Sequence, residues 1–256
     1  MPALPLSIAL LGAPGAGLRQ QLEWAAACGV QAVQINAAAR DARPRDLGRS
    51  ARRDLGSVLR RLELQVSGVD LFIPPQHLTD PANADRAVSA VLEAIDFAAE
   101  LVELTGGRRT VCLELPTAEE LSGSGAVGSL ADRASSRAVR LADHRWPPTW
   151  GKDADPDSSP LAVGIDPGAL MPGGIDPPSQ VSGLGKRLAS ARLSDADAAG
   201  RTELGRGRLD VLAYTVALLT AGYGGFGIID LRTLPDPARA VRAVIDRVTP
   251  GLPPVP

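Results

Sequence analysis

Short apolar runs recur at regular intervals along this chain, each followed by a longer stretch with helical spacing. That rhythm restricts the fold more than any other feature. The runs are SIALL (7–11), QAVQIN (31–36), LQVSGVDLFIP (64–74), TVCLELP (110–116), AVRLADH (138–144), LAVGIDP (161–167), LASARLSD (188–195) and FGIIDLR (226–232). Between them lie LRQQLEWAAACG (18–29), LGSVLRRLEL (55–64), the long amphipathic ANADRAVSAVLEAIDFAAELVEL (82–104), a weaker helix near 130–137, LDVLAYTVALLTAGY (209–223) and the closing DPARAVRAVIDRV (236–248). Strands that alternate with helices imply parallel βαβ units. Eight such units in 256 residues are what a (β/α)8 TIM barrel of the α/β class requires. A doubly wound sheet is the alternative, but no glycine fingerprint of a dinucleotide fold is present. No linker divides the chain, so residues 1–256 are read as one domain.

The first strand-to-helix junction, LLGAPGAGLRQQ (10–21), carries Gly12 and Gly17 at the spacing of a phosphate-binding loop. Such a loop needs Lys and then Ser or Thr directly after its last glycine. Leu18 and Arg19 stand there instead, so the stretch reads as an ordinary loop near the barrel mouth.

The formal net charge of −2 gives no reason to expect nucleic acid or an anionic membrane as partner. No apolar run approaches the ~18 residues of a spanning helix. The apolar N-terminus lacks the basic start of a signal peptide, so a strand is the simpler reading. Cys28 and Cys112 sit in apolar surroundings (AAACGV, TVCLEL) and read as buried small side chains rather than a disulfide or nucleophile. A cytoplasmic setting is expected.

One segment breaks the rhythm. HRWPPTWGKDADPDSSP (144–160) occupies a helix position but holds four prolines, clustered Asp and two tryptophans. Its DADPD run lacks the glycine and closing glutamate of a calcium loop. Following the fifth strand, it lies on the predicted catalytic face. There it is either a lid, with Trp146 stacking on a sugar, or a surface insertion contacting a partner subunit.

Barrel active sites form at the C-terminal strand ends. Alternation along each strand then selects the inward residues. Ala189, Ala191 and Leu193 form an outward set, leaving Ser190, Arg192 and Ser194 inward; Ile229 and Leu231 outward leave Asp230 and Arg232 at the mouth. Val163 and Ile165 outward bring Asp166 inward, and Val139 and Leu141 outward bring His144 inward, with Asp143 close enough to turn. Glu114 ends the fourth strand on the inner face. Glu114, His144, Asp166, Arg192 and Asp230 are therefore the candidate catalytic residues, and Arg232, Trp146 and Asp195 the candidate substrate contacts.

LAVGIDPGALMPGGIDP, RLASARLSDADAAGRTELGRGRLD and AGYGGFGIIDLRTLPDP, with Gly205, Gly207, Asp210, Tyr223 and Gly225, carry a resemblance. The chain resembles the xylose isomerase-like TIM barrels, the sugar phosphate isomerase/epimerase superfamily. The resemblance implies a divalent metal such as Mn2+, Co2+ or Zn2+, held by Glu, Asp, His and Glu from strands five to eight, that assists proton transfer on a small carbohydrate. Carried over, those positions are His144 (or Asp143), Asp166, Arg192 and Asp230. Guanidinium has no lone pair to give a metal. Arg192 is therefore expected to neutralise the carboxylates itself, with no metal or other cofactor bound. The chain is expected to act as a sugar isomerase or epimerase, or, alternatively, as a metal-free degenerate barrel that binds a carbohydrate or anionic metabolite without turnover. A homo-oligomer is compatible with either.

Overall fold

A computed structural model describes residues 4–120, 125–150, 153 and 155–248. Eight parallel strands close into a barrel in the order β1-β10-β7-β6-β5-β4-β3-β2: β1 (Leu6–Ala9), β2 (Ala32–Asn36), β3 (Gln65–Asp70), β4 (Thr110–Leu113), β5 (Arg140–Asp143), β6 (Leu161–Ile165), β7 (Leu188–Leu193) and β10 (Gly227–Ile229). Seven fall inside an apolar run and β1 begins one residue before its own, and the fold is a (β/α)8 TIM barrel. Two further short strands, β8 (Asp195–Asp197) and β9 (Gly200–Thr202), form an antiparallel hairpin just beyond β7.

The surrounding helices are α1 (Leu18–Ala27), α2 (Arg49–Arg61), α3 (Ala84–Thr105), α4 (Ala126–Ser136), the single turn α5 (Pro167–Leu170), α6 (Pro177–Leu184), α7 (Val211–Thr220) and α8 (Pro237–Val248). In α3, Val91, Ala94, Ile95, Ala98 and Leu101 follow the spacing of one helix face and are all buried. The helix stops at Gly106, whose φ of 76° few other residues adopt at low cost. The sequence pattern did not disclose α6, because MPGGIDPPSQ is crowded with turn formers. Its start nonetheless follows capping rules: Asp176 accepts a hydrogen bond from the Ser179 N–H (3.1 Å), and Pro177 takes the first helical position, where its missing N–H costs nothing.

Between β5 and β6 the described residues contain only turns and irregular backbone. The segment leaves the C-terminal mouth after Asp143 and must reach the N-terminal end of the barrel at Leu161. Trp146 and Trp150 pack against the core on the way, and the Trp150 indole donates to the Pro116 carbonyl (2.7 Å).

The outward strand faces and the helices form one apolar shell, whereas the barrel axis is polar. The Ser7 and Ser67 hydroxyls lie 2.6 Å apart, and the Gln34 amide donates to the Cys112 sulfur (3.2 Å). Burial pushes the Cys112 thiol up to about 12, with Asp70 adding to the effect, so it is no nucleophile at neutral pH. Both cysteines are free. Among the described residues no helix is long and apolar enough to cross a membrane.

Phe97 of α3 is fully buried, with the Arg52 guanidinium 5.5 Å from its ring centroid, while Phe72 beyond β3 is 61% exposed. Phe97→Ala is expected to lower unfolding free energy by about 3–5 kcal/mol. Phe72→Ala should change it by less than about 0.5 kcal/mol. Urea denaturation midpoints of the two variants check the contrast.

Candidate functional site

At the C-terminal mouth, three arginines and three aspartates form one connected network. Arg192, at the end of β7 and 4% exposed, is its centre. Its Nη2 donates to both oxygens of Asp70 (3.0 Å each), and its Nη1 donates to Asp230 Oδ2 (3.2 Å). Arg232 donates through Nε to both Asp230 oxygens (3.0 Å each) and through Nη2 to Asp166 Oδ2 (2.8 Å). Arg201 bridges the same two carboxylates, through Nη1 to Asp230 Oδ2 (3.0 Å) and Nη2 to Asp166 Oδ2 (2.6 Å). The remaining oxygen of Asp166 accepts from the Ser194 hydroxyl (2.7 Å). Every oxygen of the three carboxylates therefore has an N–H or O–H donor.

Electrostatics follow from that geometry. Burial alone raises the pKa of Asp166, but Arg192, Arg201 and Arg232 outweigh it and hold the carboxyl below its ordinary range. At Asp230, burial is likewise overcome by the hydrogen bond from Arg232 and the charge of Arg192. Burial disfavours the charge on Arg192, yet Asp70, Asp230 and Asp166 raise its pKa further above normal. The formal charges of the three guanidiniums and three carboxylates cancel.

The end of β5 separates the two alternatives left open there. His144 turns into the barrel, where its Nε2 lies 3.1 Å from the Ser190 hydroxyl. It fits only because residue 164 on β6 is glycine: a Cβ there would sit 2.3 Å from His144 Cδ2. Asp143 faces the other way, fully buried, and its Oδ1 accepts from the backbone N–H groups of Leu115 and Arg145 (3.0 Å each). Burial raises its carboxyl to about 6. The His144 imidazole is pushed down to about 3 by burial and by the charges of Arg192 and Arg232, with Asp166 and Asp230 opposing, so it is neutral at pH 7.

A cleft of about 80 Å³ lies over the network, lined among others by Phe72, Glu114, His144, Asp166, Arg201 and Arg232. At roughly 10–15 Å³ per water it holds about five to eight water molecules. Glu114 is exposed at its rim. Two residues expected as substrate contacts lie elsewhere. Trp146 packs on the core and does not line the cleft. Asp195 is fully buried, and its two oxygens accept from the backbone N–H groups of Ala196, Gly205, Gly207 and Leu209 (2.8–3.0 Å), fixing the loop before α7. No oxygen remains for a ligand.

Three cleft residues escaped the sequence reading. Asp70 was findable: Val69 and Leu71 as an outward pair put it inward at the end of β3. Arg201 was not, since it arrives on the β8–β9 hairpin rather than on a barrel strand. Phe72 lies just past its strand end, where alternation stops applying. At the opposite edge of the mouth, the Leu18 N–H at the start of α1 donates to Asp41 Oδ2. A carboxylate thus already takes the helix end that a phosphate-binding loop would offer.

No protein-family model and no curated protein matches the chain by sequence. Solved structures do match. A xylose isomerase domain protein from Planctomyces limnophilus superposes with a TM-score of 0.71 at 18% identity, over 90% of this chain and 89% of that one. Its fold is that of the xylose isomerase-like barrels. D-psicose 3-epimerase with D-tagatose from Clostridium cellulolyticum H10 gives a TM-score of 0.70 at 13% identity, over 89% and 84% of the two chains. A xylose isomerase domain protein from Alicyclobacillus acidocaldarius gives 0.68 at 15%, over 96% and 98%. At such identities the likeness is one of architecture.

The positions that the resemblance assigns to a divalent metal do not suit one. Arg192 offers no lone pair, and the carboxylates of Asp166 and Asp230 are already saturated by guanidinium and hydroxyl donors. Among the described residues no group of three or more His, Cys, Asp or Glu side chains is arranged to hold a metal ion.

A pH prediction follows from His144. Its folded pKa near 3 lies below the ordinary 6.5, so between those values the unfolded chain binds a proton that the folded protein refuses. Stability from this group is therefore lost as pH falls below about 6.5, by at most about 1.4 kcal/mol per pH unit. Asp143, raised to about 6, acts in the opposite sense between about 6 and 3.8. Wild type should lose more stability than His144→Gln between pH 6.5 and 4.5, measured by urea midpoints.

Proposed function

We propose that the C-terminal mouth binds a small neutral carbohydrate or polyol, with the arginine–aspartate network standing at the positions that the resemblance assigns to a metal. The observation that carries this reading is the closure of Asp70, Asp166 and Asp230 onto Arg192, Arg201 and Arg232. A charge-balanced surface favours a neutral ligand over an ion, and sugar hydroxyls can accept from the guanidinium N–H groups that the ion pairs leave over. Exposed Phe72 at the rim supplies an apolar face for the sugar's C–H edges. An anion clamp by Arg192 and Arg232 is less well supported, because both guanidiniums are engaged by aspartates and an anion would have to displace them.

The network also argues against the usual proton-transfer carboxylates as bases. A general base works best with a pKa near the operating pH. Asp166 and Asp230 are held low by arginines, and His144 is pushed down to about 3. Glu114 is the one carboxylate lining the cleft outside the network. Its place beside Arg192 and His144 favours a second reading, a metal-independent isomerase or epimerase with Glu114 as base and the guanidiniums stabilising an enediolate.

Calorimetric titration with D-tagatose, D-psicose and D-fructose, with and without prior EDTA treatment, tests the first reading. Saturable binding unchanged by EDTA is the expected result. Binding that disappears with EDTA and returns with Mn2+ overturns it. After dialysis against Mn2+, Co2+ and Zn2+, elemental analysis should find no stoichiometric metal in the wild type. About one ion per chain would contradict the arginine replacement. Epimerisation followed by NMR in D2O, abolished in Glu114→Gln, is the outcome that selects the enzymatic reading.

A further inference from the structure

At the opposite end of the barrel, where strands begin, a second cavity of about 570 Å³ opens between the starts of β4, β5 and β7 and the turn before β10. Its volume is within the range of small-molecule sites. Four cationic side chains line it, Arg108, Arg109, Arg140 and Lys186, against the single acid Asp157. Helices run antiparallel to the strands, so their carbonyl ends gather at this face and favour nearby cations. Part of the positive charge is used that way. Arg109 donates to the Arg137 carbonyl (3.3 Å) and meets Glu103 at 3.5 Å, and Arg140 donates to the carbonyls of Lys186 (3.2 Å) and Arg187 (3.5 Å).

The rest is uncommitted. The Arg140 Nε–H is buried without a hydrogen-bond partner. Burial and the neighbouring charge of Arg108 both lower the pKa of Arg140, and Asp157 offsets them only in part. Arg108 is exposed and forms no ion pair among the described residues; its Nη2 hangs over Gly224, where a Cβ would approach to 2.9 Å. Lys186 Nζ reaches Asp157 only at 4.0 Å, with both side chains about three-quarters exposed, a contact of little strength. Four cations against one acid, two of them without a close carboxylate, describe a cavity that lacks a counter-charge.

We propose that this cavity is a binding site for a phosphate-bearing small molecule. A phosphate offers several acceptor oxygens at once, matching the Arg108 guanidinium and Lys186 ammonium at the rim, with the charge of Arg140 in the wall beside them. The glycines at 222, 224 and 225 leave one side of the cavity without side-chain bulk beside Arg108. The site lies at the far end of the barrel from the carbohydrate cleft and shares no lining residue with it.

The test is calorimetric titration with inorganic pyrophosphate at constant ionic strength, on wild type, Arg108→Gln/Lys186→Gln and Arg140→Gln. Saturable binding at one site per chain is expected, at least tenfold weaker in the double variant and weaker still in Arg140→Gln, with the Tm of the free double variant near wild type. No saturable binding to wild type overturns the proposal. So does equal affinity in the double variant, which would locate the anion elsewhere. The double variant changes only exposed side chains, so it remains decisive even if Arg140→Gln fails to fold. Ribose 5-phosphate and inorganic phosphate titrated in parallel separate the sources: tighter binding of the ester identifies an organic phosphate, and the reverse order a free anion.

Discussion

Everything at the mouth of this barrel depends on one buried guanidinium. Arg192 enters from β7 into a space where a lone cation would be strongly disfavoured, and Asp70 and Asp230 make it tolerable. Once these are paired, the other groups follow. Asp166 must find its own counter-charges, which Arg201 and Arg232 provide, and His144 beside so many cations stays neutral. Removing Arg192 would leave Asp70 buried without its guanidinium, a larger cost than the net worth of that contact, while the other members share partners. The site is therefore held as a unit.

Most of the architecture was legible because hydrophobic periodicity is a local signal. Eight apolar runs gave eight barrel strands, and alternation within them brought His144, Asp166, Arg192, Asp230 and Arg232 to one mouth, where the structure has them. The signal fails where local rules stop. The β8–β9 hairpin is too short and too polar to show a period, so Arg201 stayed hidden even though it bridges two of the aspartates. Asp195 closes the run LASARLSD at the mouth and looked like a ligand contact, although alternation puts it with the outward set. Its environment is set instead by the N–H of the next residue and three N–H groups from a loop ten to fourteen residues further on, which no strand pattern encodes. Trp146 attracted attention by residue type, whereas the aromatic residue at the cleft is Phe72, in a stretch with no distinctive composition.

The choice between Asp143 and His144 shows how a single residue of register decides chemistry. Adjacent strand residues face opposite ways, so only one could enter the barrel. Gly164 on the neighbouring strand breaks the tie, since the imidazole occupies the volume that any side chain there would fill. Asp143 then serves the far side of the wall, tying the β4–α4 connection to the start of the irregular segment through Leu115 and Arg145.

The Arg192–Asp70 pair joins residues 122 positions apart in sequence. No early fragment of the growing chain can satisfy either partner, because β3 and β7 meet across the barrel only when the intervening strands have been laid side by side. Long-range closure of this kind comes late in assembly. A half-barrel would thus carry bare aspartates or a bare guanidinium facing its interior, and would be poorly suited to collapse on its own. The charge network consequently acts as a checkpoint on completeness: it rewards the closed ring and penalises partial ones.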